Sequence, residues 1–126
     1  MTICNLTDYC LSKSGAVLDY PFGPEPAVFK VGGKIFALAY EGDGKEKGRG
    51  DGIARISLKC DPMLADLLRQ KFASVTPGYH LNKTHWNTIT CDEKIDGDEI
   101  YNQIDHSYDL IIKSLTKKAR QQIEAG

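Results

Sequence analysis

The chain has 126 residues, 41% of them hydrophobic and 26% charged, with 16 basic side chains against 17 acidic ones and a net charge of −1. That length fits one domain over residues 1–126, able to bury roughly two-thirds of its unfolded surface, so neither a disulfide nor a metal is needed for folding. Near-neutrality excludes a global basic field, no apolar run approaches the ~20 residues of a membrane helix, and no basic-then-apolar leader opens the chain, so a cytoplasmic protein with no membrane partner is expected.

Residues 2–14 read as a first helix, with Ile3, Leu6, Cys10 and Leu11 at helical spacing and Gly15 as the stop. Pro21, Pro24 and Pro26 then impose an extended, turning loop. Ala27–Val31 and Lys34–Tyr40 flank Gly32-Gly33, the signature of a two-residue hairpin turn. Simple alternation across that turn pairs Phe29 with Phe36. It puts Val31, Leu38 and Tyr40 on the same, core-facing side.

Residues 41–51 (EGDGKEKGRGD) form a long, solvated loop that matches no phosphate-binding fingerprint. The chain returns as a strand at 52–60, with Ala54, Ile56, Leu58 and Cys60 facing one way and Arg55, Ser57 and Lys59 the other. Asp61-Pro62 starts a second helix, capped by Asp and continued by an apolar stripe from Met63 to Phe72, ending near Ala73. An irregular loop over 74–85 leads to a strand at 86–91. A helix over 98–114 carries Ile100, Ile104, Tyr108 and Ile111, and Thr116 caps a last helix over 117–125. This order predicts an α+β domain: an antiparallel sheet of about four to five strands with helices packed mainly on one face.

The charges are unevenly spread. Residues 52–91 hold five bases against two acids, residues 92–105 six acids against one base, and residues 106–126 four bases against two acids. Cys4, Cys10, Cys60 and Cys91 contain no C-x-x-C pair, so they read as four free, buried or semi-buried thiols rather than a zinc site. The acids at 92–99 read as a solvated turn feeding a helix N-terminus, where the dipole favours them without any metal.

Five blocks resemble the YjbR/MmcQ family: Tyr20-Pro21-Phe22-Gly23; Val28 through Ala37; Ser57-Leu58-Lys59-Cys60-Asp61-Pro62; His80-Leu81-Asn82-Lys83 with His85-Trp86-Asn87-Thr88; and Asp105-His106-Ser107-Tyr108. They occur in order from about residue 18 to 120. The loop at 41–51 is longer and more glycine-rich than the connection usual in that family. The resemblance implies a two-layer sandwich related in shape to secretion-chaperone-like and frataxin-like folds. It also implies a DNA-binding role through a "double wing" arrangement, with no cofactor and no accepted catalytic activity.

The candidate contact residues are Lys30, Arg55, Lys59, His80, Asn82, Lys83, His85 and Trp86. Lys83 would meet a phosphate, Asn82 would hydrogen-bond and Trp86 would offer a stacking platform. Lys30, Arg55, Ser57, Lys59 and Trp86 are expected on the sheet face turned away from the helices. Trp86 keeps a second reading, as a core residue with its indole N–H satisfied by a loop carbonyl. Asp105, His106 and Ser107 are consecutive on a helix, about 100° apart, and cannot converge as a catalytic set; His106 or Ser107 is instead expected to bond the 80–87 loop. His80 and His85 show no metal-ligand spacing. DNA is the first expected partner of a monomer or weak homodimer. A protein-interaction module is the alternative, and an enzyme or small-ligand binder using His80, Lys83 and His85 ranks third.

Overall fold

The computed structural model describes residues 1–42 and 52–125. In chain order it contains α1 (Ile3–Leu11), β1 (Val17–Asp19), β2 (Ala27–Val31), β3 (Lys34–Glu41), β4 (Ala54–Lys59), α2 (Pro62–Lys71), β5 (Val75–Pro77), β6 (Trp86–Thr90), α3 (Gly97–Ser114) and α4 (Lys117–Ala125). The strands form one antiparallel sheet in the order β1-β2-β3-β4-β6-β5. Six strands exceed the four to five expected. The additional ones are three residues each, too short to register as alternation, and they close the two edges of the sheet. Apart from Glu41 and Gly42, the loop expected over 41–51 lies outside the described residues. No helix among the described residues is long and apolar enough to cross a membrane.

Side-chain caps set the helix starts. Thr2 and Asn5 exchange reciprocal bonds at α1. The Asp61 carboxylate accepts from the amides of Met63 and Leu64 at α2, with Pro62 at the first helical position. Two helices end earlier than periodicity suggests, α1 at Leu11 and α2 at Lys71.

The hairpin register corrects the facing expected for β3. Val31 pairs with Lys34 and Lys30 with Ile35, but Phe29 pairs with Ala37 and Val28 with Leu38. The shift between Phe29 and Lys30 leaves Phe36 as an extra residue. A one-residue slip exchanges the faces of everything beyond it. Ala37 and Ala39, not Leu38 and Tyr40, therefore share the helix side with Phe29. On that side Ala27, Phe29, Ala39, Ile56, Leu58 and Ile89 join one cluster with Leu6 of α1, Leu68 of α2 and Ile104 of α3. Each fully buried Leu, Ile or Phe among them contributes about 1.5–3 kcal/mol.

The run Asp105-His106-Ser107-Tyr108 on α3 distributes its side chains among six partners. Asp105 accepts from the Tyr9 hydroxyl and pairs with Lys13. His106 Nε2 accepts from the Asp61 amide. Ser107, fully buried, donates to the Phe36 carbonyl at 2.6 Å and accepts from the Lys59 amide at 3.0 Å. Tyr108 donates to the Ser14 carbonyl. His106 and Ser107 thus bond Asp61 and the strand ends, not the 80–87 loop.

One cysteine departs from expectation: Cys4 is exposed, while Cys10, Cys60 and Cys91 are buried. Burial pushes the thiols of Cys10 and Cys91 up to about 12 and that of Cys60 up to about 11. The thiolate is the attacking species, so these three stay protonated and inert near pH 8 and gain reactivity only as pH climbs towards 11. A thiol-reagent titration of the native protein at pH 8 is expected to modify Cys4 alone, with three further thiols reacting after unfolding. Rapid native-state loss of a second thiol contradicts this burial.

Candidate nucleic-acid interface

Antiparallel pairing brings the C-terminal ends of β2, β4 and β5 and the N-terminal ends of β3 and β6 to one end of the sheet. On the face turned away from the helices, that end carries a level row of side chains. Lys30 pairs with Ile35 across β2 and β3, and Lys59 pairs with Trp86 across β4 and β6. Directly paired residues on one face sit about 5 Å apart at Cβ, close enough to act on one ligand group. Lys59, Ile35 and Trp86 are half-buried. Further up the same face Ser57 and Thr88 share a hydrogen bond at 2.8 Å and are almost wholly buried. The Tyr40 phenol stands close to both hydroxyls. Its burial, partly opposed by Arg55, raises it above the ordinary tyrosine value.

Beside Trp86 the chain forms a loop, residues 78–85, without regular structure. Its anchor is Arg69 of α2. The Arg69 guanidinium donates to Asn87 Oδ1 at 2.6 Å, to the Trp86 carbonyl at 3.2 Å and to the Lys83 carbonyl. Asn87 is 1% exposed, and its amide donates back to the Ala65 carbonyl of α2. A planar fork with several donors suits this task, because one rigid group satisfies acceptors on two segments at once. The loop closes on itself as well. Gly78 donates to the Trp86 carbonyl at 2.8 Å, and His85 accepts from the Cys60 amide at 2.8 Å. A Cβ at Gly78 would lie 2.7 Å from that of Trp86, so only glycine permits this approach.

Tyr79 and Leu81 of the loop are half-buried, and residues 82–85 are exposed. His80 is exposed, with its ring against Tyr79 at 3.9 Å between centroids. Its φ of 58° lies in the left-handed region, which costs a non-glycine residue roughly 1–2 kcal/mol. Asn82 is exposed and accepts from the Thr84 amide through Oδ1. Lys83 donates one bond to the Gly78 carbonyl at 3.3 Å, and His85 is exposed.

Of the eight candidates, Lys59, His80, Asn82, Lys83, His85 and Trp86 gather at this end. Lys30 lies on the same face, level with Lys59, but pairs with Asp19 at 3.5 Å. Arg55 shares the face and not the place: it pairs with Thr90, four residues along β4 from Lys59, or about 13 Å, and donates to the Ile53 carbonyl. Ser57 faces as expected but is buried. Asn87, expected as part of the surface segment 80–87, is buried instead, and nothing in the sequence signalled a role for Arg69 or Ile35; a basic residue on a helix reads as solvated until its partners are known. Among the described residues no three His, Cys, Asp or Glu side chains converge as metal ligands.

The family model described as YjbR matches residues 11–110. The chain is 38% identical to the protein YbdF of Escherichia coli O157:H7, over 86% of its own length and 83% of that protein's. It is 34% identical to the protein YjbR of Escherichia coli K12, over 96% of both. Among solved structures it is similar to Deinococcus radiodurans protein DR2400, of the DUF419 domain, with a TM-score of 0.83 at 34% identity, covering 98% of this chain and 88% of the other. A protein from Pseudomonas syringae superposes with a TM-score of 0.74 at 30% identity, over 87% of this chain and 98% of the other.

Arg69→Met is expected to destabilise the protein by about 2–3 kcal/mol, because it leaves the buried Asn87 oxygen without its donor. Arg69→Lys restores the charge without the fork and rescues little of this. Urea unfolding measures the loss, hydrogen exchange at 78–86 locates it, and the single tryptophan, Trp86, reports it by fluorescence. Unchanged exchange across 78–86 contradicts the anchoring role.

Proposed function

The chain belongs to the YjbR family, and we propose that it is a non-enzymatic DNA-binding protein that meets the phosphate backbone at the Trp86 end of its sheet. One observation carries this reading: Lys59 and Trp86 are half-buried cross-strand partners on the face turned away from the helices, beside an anchored loop that presents His80, Asn82, Lys83 and His85. The Lys59 ammonium has no partner among the described residues. Lys83 spends one of three donors. Both are therefore available to phosphate oxygens, which are the main source of affinity for a backbone-reading protein.

Trp86 offers an aromatic surface level with those cations, suited to a sugar or an unstacked base. The Asn82 NH2 group and the two imidazoles supply short-range hydrogen bonds. Lys30 contributes less, since Asp19 partly neutralises it, and Arg55 stands apart. A preformed loop loses little entropy on contact, which favours binding by so few charges. Contacts of this kind position a protein on nucleic acid without reading sequence, so weak sequence preference is expected.

A protein partner is the second reading. Met63 and Leu67 are 80% and 59% exposed, one turn apart on α2, an apolar pair unrelated to the cationic end.

Anisotropy of a labelled duplex at rising salt tests the first reading. Lys59→Gln with Lys83→Gln is expected to flatten the log–log salt slope by about 1.8, two phosphates at 0.9 each. Trp86→Ala is expected to weaken binding with that slope unchanged. A wild-type protein that leaves the duplex free at 20 mM salt, roughly the lowest practical ionic strength, refutes the DNA reading.

A further inference from the structure

We infer that the corner between α3 and α4 is a second nucleic-acid contact surface, and that it continues the Trp86 end into one cationic edge. The inference rests on the DNA-binding reading above and extends it to residues outside the sheet.

The corner is tied to that end of the sheet by the β2–β3 turn. The Lys34 ammonium donates to the Ser114 carbonyl at 3.4 Å and to its hydroxyl at 3.1 Å. Leu115 packs so closely on Gly32 that a Cβ there would lie 2.6 Å from its Cδ1, and Gly32 holds a φ of 59°. Thr116 then caps α4, its hydroxyl accepting from the Ala119 amide. Lys34, Lys113, Lys117 and Lys118 are all exposed around this junction. None of the four is ion-paired: the two ion pairs among the described residues are Lys13–Asp105 and Lys30–Asp19. The N-terminus of α4 adds its partial positive charge. Asp109, one turn before Lys113, is the acid nearest the corner on α3, whose other acids, Asp98, Glu99 and Asp105, lie further back, and Glu124, near the far end, is the one acid of α4.

What the corner lacks identifies the partner. Protein interfaces centre on buried aromatic or aliphatic anchors. The exposed large hydrophobics among the described residues are Met1, Leu11, Val17, Tyr20, Phe22, Met63 and Leu67; none is on α3 or α4, and Val17, paired with Lys30, lies beside the β2–β3 turn. A membrane-surface helix needs an apolar face to insert. The one large apolar residue of α4, Ile123, is instead turned against the protein core. Clustered lysines without an apolar anchor suit a regularly charged backbone.

The dimensions suit a duplex as well. From β6 to β2 is three strand spacings, about 14 Å, and the corner extends the edge beyond β2–β3. Phosphates along one strand recur every ~3.4 Å of helix rise, so this edge is long enough to follow several of them. The Asp61 carboxylate, midway along, is occupied in capping α2.

The test is the salt dependence of duplex binding by the quadruple variant Lys34→Gln, Lys113→Gln, Lys117→Gln, Lys118→Gln, with circular dichroism to confirm folding. The slope is expected to flatten by roughly 2–4 units, with low-salt affinity falling at least ~30-fold. Lys94→Gln, in the turn at the opposite end of the sheet, is expected to leave the slope unchanged. A quadruple variant with wild-type slope and affinity overturns this inference and leaves the Trp86-end reading standing. A Lys94→Gln effect equal, per lysine, to that of the corner overturns it as mere loss of net charge. A wild-type protein that binds no duplex overturns both.

Discussion

The Trp86 end of this sheet depends on a junction between two side chains, Arg69 and Asn87. Asn87 is buried on the helix side of β6, where an apolar residue would otherwise be expected. Its carboxamide donates to α2 and accepts from Arg69, and the rest of the guanidinium holds the Trp86 and Lys83 carbonyls. The buried Asn87 and the half-buried Arg69 thus fix α2 against β6 and fix the loop against both. Burying such groups is costly unless every donor and acceptor is matched. No buried side-chain nitrogen or oxygen among the described residues lacks a partner. The loop inherits its geometry from this junction, including the unfavourable backbone of His80.

The second constraint is that the helices cover one face of the sheet. Core side chains of α1, α2 and α3 share a single cluster with the strands. The other face carries Val28, Leu38 and the Ser57–Thr88 pair, all buried, with Lys30, Ile35, Tyr40, Arg55, Lys59 and Trp86 around them. Because the strands are antiparallel, the hairpin turn, the end of β4 and the start of β6 meet at one end of the sheet. Ser107 binds two of these strand ends from beneath, through the Phe36 carbonyl and the Lys59 amide. Strand pairing brings Lys34 at the hairpin turn and Lys59 at the end of β4 to one end of the sheet, in a chain whose net charge is −1.

Much of this was legible in the residues. Asp61-Pro62 marks the start of α2, Gly32-Gly33 marks the hairpin, and alternation assigns the faces of β4 correctly. The facing of β3 was not legible, because the irregularity at Phe29/Lys30 leaves no mark on composition. β1 and β5 were missed because three residues cannot display a period of two. Arg69 and Lys34 were invisible as organisers, since their roles depend on partners 18 and 80 positions away. The exposure of Cys4 also required the structure: it lies on the outer side of a short helix whose buried residues are Leu6 and Cys10.

Backbone-amide NMR of the protein titrated with a short duplex at low salt tests the central claim most directly, because it maps contact without any substitution. Shifts are expected to cluster at Lys34, Lys59, residues 78–86 and residues 113–118, with α1 and the β1 edge silent. Shifts confined to α1, β1 or the Met63–Leu67 side of α2, or none at a saturating duplex concentration, would contradict a cationic edge at the Trp86 end.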